Sequence, residues 1–363
     1  MPASSPVLSV FDLVPISAGR TGDQALAEMT GLARTADACG YHRYWIAEHH
    51  GSTTYLAAAT TVLMGQVLAA TERIGVASGG IMLPNHSPLV VAEQIGTLAR
   101  LYPGRVGLGL GRAPGTDPLT ASALHRRAAD PRSFAQDVLQ TLTYLGRVSD
   151  DVPATVPGSL TPLVAGADGE AQEPPAPVGR ARAVVGEGTA PEPWVLGSSV
   201  NGARVAGALG LPFAVASHFA PAQAEAAIVS YRSVFDASCS VSLDGRPHVA
   251  AVVNAMVAPT EAEARFLFTT AMAAAARVIG GRPAPLDPPS EDLSAWRRLV
   301  PGQETAVEQA MAMSFVGTAD DVAARLRALA ERWGLEEVLV VSHAHDAHAR
   351  RRSYELLASA WGV

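Results

Sequence analysis

The residues best able to do chemistry stand just after short apolar runs. Tyr44–Ala47 is followed by Glu48-His49-His50, and Val106–Leu110 by Gly111-Arg112. Trp194–Gly197 is followed by Ser198-Ser199 at what reads as a helix start, and Ile74–Leu83 is interrupted by Gly79-Gly80. His218 follows Phe213–Ser217, and His343, His345 and His348 follow Glu337–Ser342. Histidine near neutral pH serves as acid, base or hydrogen-bond donor. Adjacent histidines point in different directions, so one of His49 and His50 can enter a cavity while the other packs. Small residues and hydroxyls at a helix start offer free N–H groups to an anion, and an arginine from a neighbouring strand can share it. A plain serine N-cap is the simpler reading of Ser199 alone. Paired glycines inside a strand mark a bend or the close approach of a flat ligand. His343-Ala344-His345 has a spacing that zinc also uses, but no carboxylate cluster accompanies it.

Those residues need a scaffold that gathers strand ends. The chain predicts eight strand–helix units: apolar strands at Leu8–Val14, Tyr44–Ala47, Ile74–Leu83, Val106–Leu110, Trp194–Gly197, Phe213–Ser217, Val249–Val257 and Glu337–Ser342, each followed by helical spacing. Near-continuous apolar strands alternating with helices imply a parallel sheet covered on both faces. Eight such units favour a closed (β/α)8 TIM barrel, α/β in class, whose active site lies at the C-terminal strand ends. Two loop-rich excursions interrupt the rhythm, at about 151–193 and 280–313, and they are expected to cover the barrel mouth. Neither is patterned as a domain, so residues 1–363 read as one.

Composition narrows the function. The chain has 363 residues, a net charge of −7, 48% hydrophobic and 17% charged residues. No basic run is interleaved with aromatics, which argues against a nucleic-acid partner. All 27 basic residues are arginine, so lysine Schiff bases and a P-loop lysine are excluded and any phosphate must be held by Arg, backbone N–H and hydroxyls. Two cysteines 200 positions apart (Cys39 and Cys239) suit a reducing cytoplasm. No apolar run has membrane-spanning or signal-peptide length, so no membrane association is expected.

At these residues the chain resembles the bacterial luciferase-like flavin monooxygenases. The stretches that carry the likeness are LSVFDLVP, ADACGYHRYWIAEHH, ERIGVASGGIMLPNHSPLVVAEQIGTLARLYPGRVGLGLGRAPGTD, WVLGSSVNGARVAGALGLPFAVASHF and VGTADDVAARLRAL. Within that family it looks most like the single-chain oxygenases of actinobacterial aromatic polyketide biosynthesis. The resemblance implies reduced FMN (FMNH2) as cofactor and O2 as co-substrate. His49 matches the histidine that supports oxygen transfer beside the flavin, with Glu48 and His50 its neighbours. Gly79-Gly80 matches a non-prolyl cis peptide under the flavin ring. Arg112, Ser198 and Ser199 match the phosphate-binding residues, and a second phosphate arginine would be Arg132 or Arg126. Two positions depart from bacterial luciferase: Gly111 stands where it has a reactive cysteine, and Ser198 where it has a carboxylate. Light emission is therefore not implied.

The expected activity is oxygenation, by hydroxylation or epoxidation, of an organic substrate such as a polyketide-type intermediate. No dinucleotide fingerprint is present, so a separate NAD(P)H-dependent flavin reductase would supply FMNH2. The resemblance further implies a cytoplasmic homodimer. Two alternatives stay open: a 5-deazaflavin-dependent dehydrogenase on the same barrel, and a metal-dependent barrel hydrolase using His343, His345 and His218.

Overall fold

β1 (Val7–Asp12) is buried from Leu8 onward and runs parallel to both of its neighbours, β2 (Arg43–Ile46) and β10 (Glu337–Val341). A strand flanked on both sides and covered on both faces has no polar face, which is why it reads as a continuous apolar run. The computed structural model describes residues 6–113, 116–124, 131–147 and 182–363. Among them the remaining strands are β3 (Gly75–Ser78), β4 (Ile81–Met82), β5 (Val106–Gly111), β6 (Glu192–Gly197), β7 (Phe213–Val215), β8 (Val249–Val257) and β9 (Ser314–Gly317). Their order is β10-β1-β2-β3-β5-β6-β7-β8-β9, with β4 on β5 and β8 also paired to β10. The last pairing closes the sheet, and the architecture is the (β/α)8 TIM barrel expected from the alternation of elements.

The described helices are α1 (Gly22–Ala38), α2 (Thr60–Ala70), α3 (Pro88–Leu101), α4 (Pro118–Ala123), α5 (Pro131–Tyr144), α6 (Val200–Ala208), α7 (Ala224–Ser233), α8 (Glu261–Ile279), α9 (Glu304–Ala310), α10 (Ala319–Trp333) and α11 (Ala347–Trp361). α1 starts at a capping box: the Thr21 hydroxyl accepts the Gln24 backbone N–H while the Gln24 side-chain Oε1 accepts the Thr21 N–H. Thr318 occupies the N-cap of α10, but its hydroxyl makes no capping bond.

Two compact units divide the described chain. One comprises Met1–Val76, Ala216–Ala222 and Ala250–Val363; the other comprises Ala77–Val215 and Gln223–Val249. In the first unit, Asp12 at the end of β1 is fully buried. Its carboxylate accepts from Arg350 Nη2 at 2.6 Å, from the Val14 N–H at 2.8 Å and from the Tyr44 hydroxyl. Arg350 Nε in turn donates to the Ser342 carbonyl at 2.9 Å, just past β10. Burial pushes the Asp12 carboxyl up, but the Arg350 charge and the Tyr44 and Val14 donors outweigh it and hold the group below the ordinary aspartate range.

In the second unit, glycines permit close approach. A Cβ on Gly96 of α3 would lie 2.4 Å from the Gly186 Cα, and one on Gly207 of α6 would lie 2.5 Å from the Tyr231 carbonyl of α7. Only glycine lets these backbones meet.

Three sequence expectations change. The strand expected over Ile74–Leu83 is two strands, β3 and β4, split at Gly79-Gly80. β9 was not foreseen, because its four residues read as a lead into the following helix; the nine-residue β8 offers it an edge, pairing Asn254 with Ser314 through Val257 with Gly317. The second excursion, read from sequence only as a break in the rhythm, is anchored. Asp287 accepts two bonds from Arg277, at 2.6 and 2.9 Å, and the Ala284 carbonyl accepts from the Thr54 hydroxyl at 2.8 Å. Trp296 and Val300 complete a small core with Ala273, Ala276 and Val307. Most of the first excursion, residues 151–181, lies outside the described residues.

Removing one partner of a buried ion pair leaves an uncompensated charge and costs about 3–5 kcal/mol. Asp12→Ala is therefore expected to lower unfolding stability by that amount in urea titrations. A loss under about 1 kcal/mol would contradict the place given to this pair.

Candidate active site

The first unit gathers four rings at strand ends. His49, three residues past β2, is fixed by its backbone N–H to the Ala57 carbonyl at 2.7 Å. Its ring lies 5.6 Å from that of Tyr55, and Tyr55 lies 5.6 Å from His343, two residues past β10. His218 packs on Phe11 with ring centroids 5.3 Å apart. Its backbone N–H donates to the Val252 carbonyl of β8 at 2.8 Å, and its own carbonyl accepts from Asn254 Nδ2 at 3.2 Å. β8 and β10 thus clamp the two histidines that the sequence placed 125 positions apart.

All three imidazoles are held neutral. Burial depresses His49 first, Glu48 works against that and His50 adds to it. Burial, then the neighbouring His343 and His49, takes His218 to about 3. Burial and the Arg350 charge take His343 to about 4, with Asp12 opposing. Burial likewise pushes the Tyr55 hydroxyl up to about 12. His218 Nδ1 and His343 Nε2 are buried with no hydrogen-bond partner.

The other named residues of this unit divide. Glu48 is buried and accepts from His50 Nε2 at 2.8 Å. His345 does not join His343 and His218: its Nε2–H donates to the Ala18 carbonyl at 3.1 Å. The arrangement expected for a three-histidine metal centre at these positions is therefore not formed.

The second unit holds the glycine and serine motifs. The Gly79–Gly80 peptide bond is cis. Ser78 secures it to β5: its hydroxyl donates to the Gly109 carbonyl at 2.8 Å and accepts the Gly109 N–H at 2.9 Å. A Cβ on Gly80 would lie 2.8 Å from the Gly109 oxygen and 3.1 Å from Leu196, so this backbone lies flush on β5 and stays bare. A Cβ at Gly111 would lie 2.9 Å from Met82 Sδ, so a larger residue there would need the Met82 side chain to shift. Arg112 is half-buried directly after β5. Ser199 caps α6, accepting the Gly202 N–H at 3.3 Å, and both Ser198 and Ser199 are half-buried. The cap role, weighed above as the simpler reading, is present, and the hydroxyl proton of Ser199 is not consumed by it. Arg132 sits in the first turn of α5, and Arg126 lies outside the described residues.

Sequence reasoning singled out His49 and His218 but not Tyr55, Asp12 or Arg350. No local signal marks them. Asp12 ends an apolar run and Arg350 lies in an Arg-rich helix, so each looks ordinary until β1 meets β10.

Comparison with known proteins follows the same lines. The family model described as luciferase-like monooxygenase matches residues 7–337. A luciferase-like monooxygenase of Escherichia coli (strain K12) is 38% identical over 349 residues, covering 96% of this chain and 95% of that protein. The crystal structure of apo-MsnO8 superposes with a TM-score of 0.80 at 31% identity, covering 98% of both chains. The oxygenating constituent of 3,6-diketocamphane monooxygenase from Pseudomonas putida, solved with FMN, has the same fold, with a TM-score of 0.66 at 19% identity, covering 97% of this chain and 96% of that one.

The depressed histidines set an acid limit. An unfolded histidine titrates near 6.5, so below that pH the unfolded chain takes up protons that folded His218 and His343 refuse until about 3 and about 4. Stability is lost as pH falls from 6.5 toward 4, at about 1.4 kcal/mol per pH unit for each ring. Urea unfolding at about pH 7.5 and 4.5 should show a smaller acid loss for His343→Leu than for the parent. Equal losses would contradict the buried neutral state.

Proposed function

The chain belongs to the luciferase-like monooxygenase family, and on that premise we propose that it uses reduced FMN and O2 to oxygenate a small organic molecule. The observation that carries the cofactor reading is the side-chain-free Gly79–Gly80 backbone, where a Cβ on Gly80 would collide with Gly109 of β5. A flat ring system suits such a surface, and the residues around it suit the rest of FMN. Arg112, Ser198, Ser199 and the first N–H groups of α6 have the charge and donors to hold a phosphate without lysine. The FMN-bound structure of the same fold supports the choice of flavin.

When bound, reduced FMN supplies the electrons by which one atom of O2 enters the substrate and the other leaves as water. The protein's own part is binding, shielding and proton handling. Gly79 and Gly80 present backbone to the ring. His49, neutral and half-buried after β2, holds or moves a proton at a ring nitrogen during oxygen transfer. Glu48 orients the segment through His50. The apolar residues of β1, β2 and β10 keep the interior dry, which limits loss of oxygen as free peroxide.

The finer reading follows the motif resemblance: a polyketide-type natural-product intermediate is hydroxylated or epoxidised. Residues 1–363 act as one catalytic domain, in a cytoplasmic homodimer, with FMNH2 delivered transiently by an NAD(P)H-dependent flavin reductase.

Oxygen uptake with reductase, NADH and FMN over a panel of hydroxylated aromatic substrates tests the reaction, with label from 18O2 found in the product. Turnover only with a 5-deazaflavin, without oxygen uptake, would overturn it. Two variants test the residues. Arg112→Ala should weaken reduced FMN about 10–100-fold, since a charge-assisted contact is worth about 1.5–3 kcal/mol, while riboflavin, lacking the phosphate, is little affected. Equal losses would remove Arg112 from the phosphate site. His49→Ala should bind reduced FMN nearly normally, lose product about 10²–10⁴-fold and release peroxide instead. A variant that couples oxygen to product as well as the parent would make His49 structural.

A further inference from the structure

His218 and His343 carry a feature that the flavin reading leaves unused. Each has a ring nitrogen, Nδ1 and Nε2 respectively, that is buried and has no hydrogen-bond partner in the protein. Buried polar atoms of this kind are rare and call for an explanation, because a lost partner is costly. Packing does not provide one here. The backbone of His218 is pinned on β8 by Val252 and Asn254, and His343 directly follows Ser342 at the end of β10. Both residues are nevertheless half-buried rather than fully buried. Tyr55 spans the distance from His343 to His49, and Phe11 backs His218. The result is a cluster of aromatic rings in which two imidazole nitrogens are the unpartnered polar points.

We infer that His218 and His343 are the substrate-orienting pair, taking a neutral oxygen function of the organic substrate — a phenolic or enolic hydroxyl, or a ketone — by hydrogen bonds from their two unpartnered ring nitrogens. This rests on the monooxygenase reading for what happens to the substrate, but not for the binding itself. A neutral imidazole offers one donor and one acceptor, which matches a hydroxyl. It is a poor counter-ion, and His218 and His343 titrate at about 3 and about 4, so neither is a cation at neutral pH. Arg350, whose charge bears on His343, is paired with Asp12. A carboxylate head would therefore enter an aromatic cluster without a compensating charge. The substrate class that fits is an uncharged hydroxy- or keto-aromatic, and carboxylate-bearing substrates are disfavoured.

Calorimetric titration of the full chain, with and without saturating FMN, using 2-naphthol, 2-naphthoate and naphthalene tests this. The expected order is 2-naphthol tightest, with 2-naphthoate at least about 10-fold weaker. His218→Leu and His343→Leu should each weaken 2-naphthol about 3- to 10-fold, the worth of one neutral hydrogen bond, while naphthalene binding changes little. His218→Gln and His343→Gln, which keep a donor and an acceptor, should recover most of that loss. Comparable binding of naphthol and naphthoate by the parent, or parental naphthol affinity in both Leu variants, would overturn the inference. The parent comparison needs no variant to fold. If oxygen uptake fails on every substrate while the naphthol preference and its loss in the variants persist, the monooxygenase reading falls and the histidine pair stands. If oxygen uptake proceeds but no such preference exists, the reverse holds.

Discussion

The buried pair between Asp12 and Arg350 is the contact on which the first unit turns. It joins the end of the first strand to the last helix, and Arg350 also holds the Ser342 carbonyl where β10 ends. Tyr44 of β2 donates to the same carboxylate, so three elements meet at one group. An ion pair so deep is tolerable because both carboxylate oxygens of Asp12 find donors. Its position has a second effect. His343 is the residue after Ser342, and the Arg350 charge helps keep that imidazole neutral. Structural closure and the electrostatics of the histidine cluster share one cause.

The second unit relies on the opposite device, the absence of side chains. Ser78 ties the Gly79 segment to β5 by both donating to and accepting from Gly109, and Gly80 has no space for a Cβ. Bare backbone is a surface in its own right: flat, polar at its edges and unable to fill the room a planar ligand needs. The serine-capped start of α6 adds donors without adding bulk. One unit thus presents rings and neutral nitrogens, the other backbone, hydroxyls and a guanidinium.

Much of the candidate site was legible because it stands in local motifs. Glu48-His49-His50, Gly79-Gly80, Arg112 and Ser198-Ser199 each follow or interrupt an apolar run, and each is found where a strand ends or splits. Their spacing is a property of one turn of chain, so a sequence expresses it directly. His345 shows the limit of such reading. Its position two residues from His343 suggested a shared ligand, yet its ring turns to the Ala18 carbonyl, since the loop after β10 is held against the segment after β1 by Ser17.

What the sequence determined by itself was the class of fold. Eight apolar strands with helices between them have few ways to bury both faces, and a closed parallel barrel is the one that fits their number. What only the tertiary structure decided was which distant residues meet. Strands buried on both faces carry no alternation to reveal their register, and so nothing in the chain announces that Asp12 faces Arg350, or that Tyr55 lies between His49 and His343. The same holds for β9, whose four residues become a strand because β8 is long enough to pair with them. Local pattern reports what an element is. The twist and register of the closed sheet determine which side chains it brings together, and those are set by packing over the whole barrel.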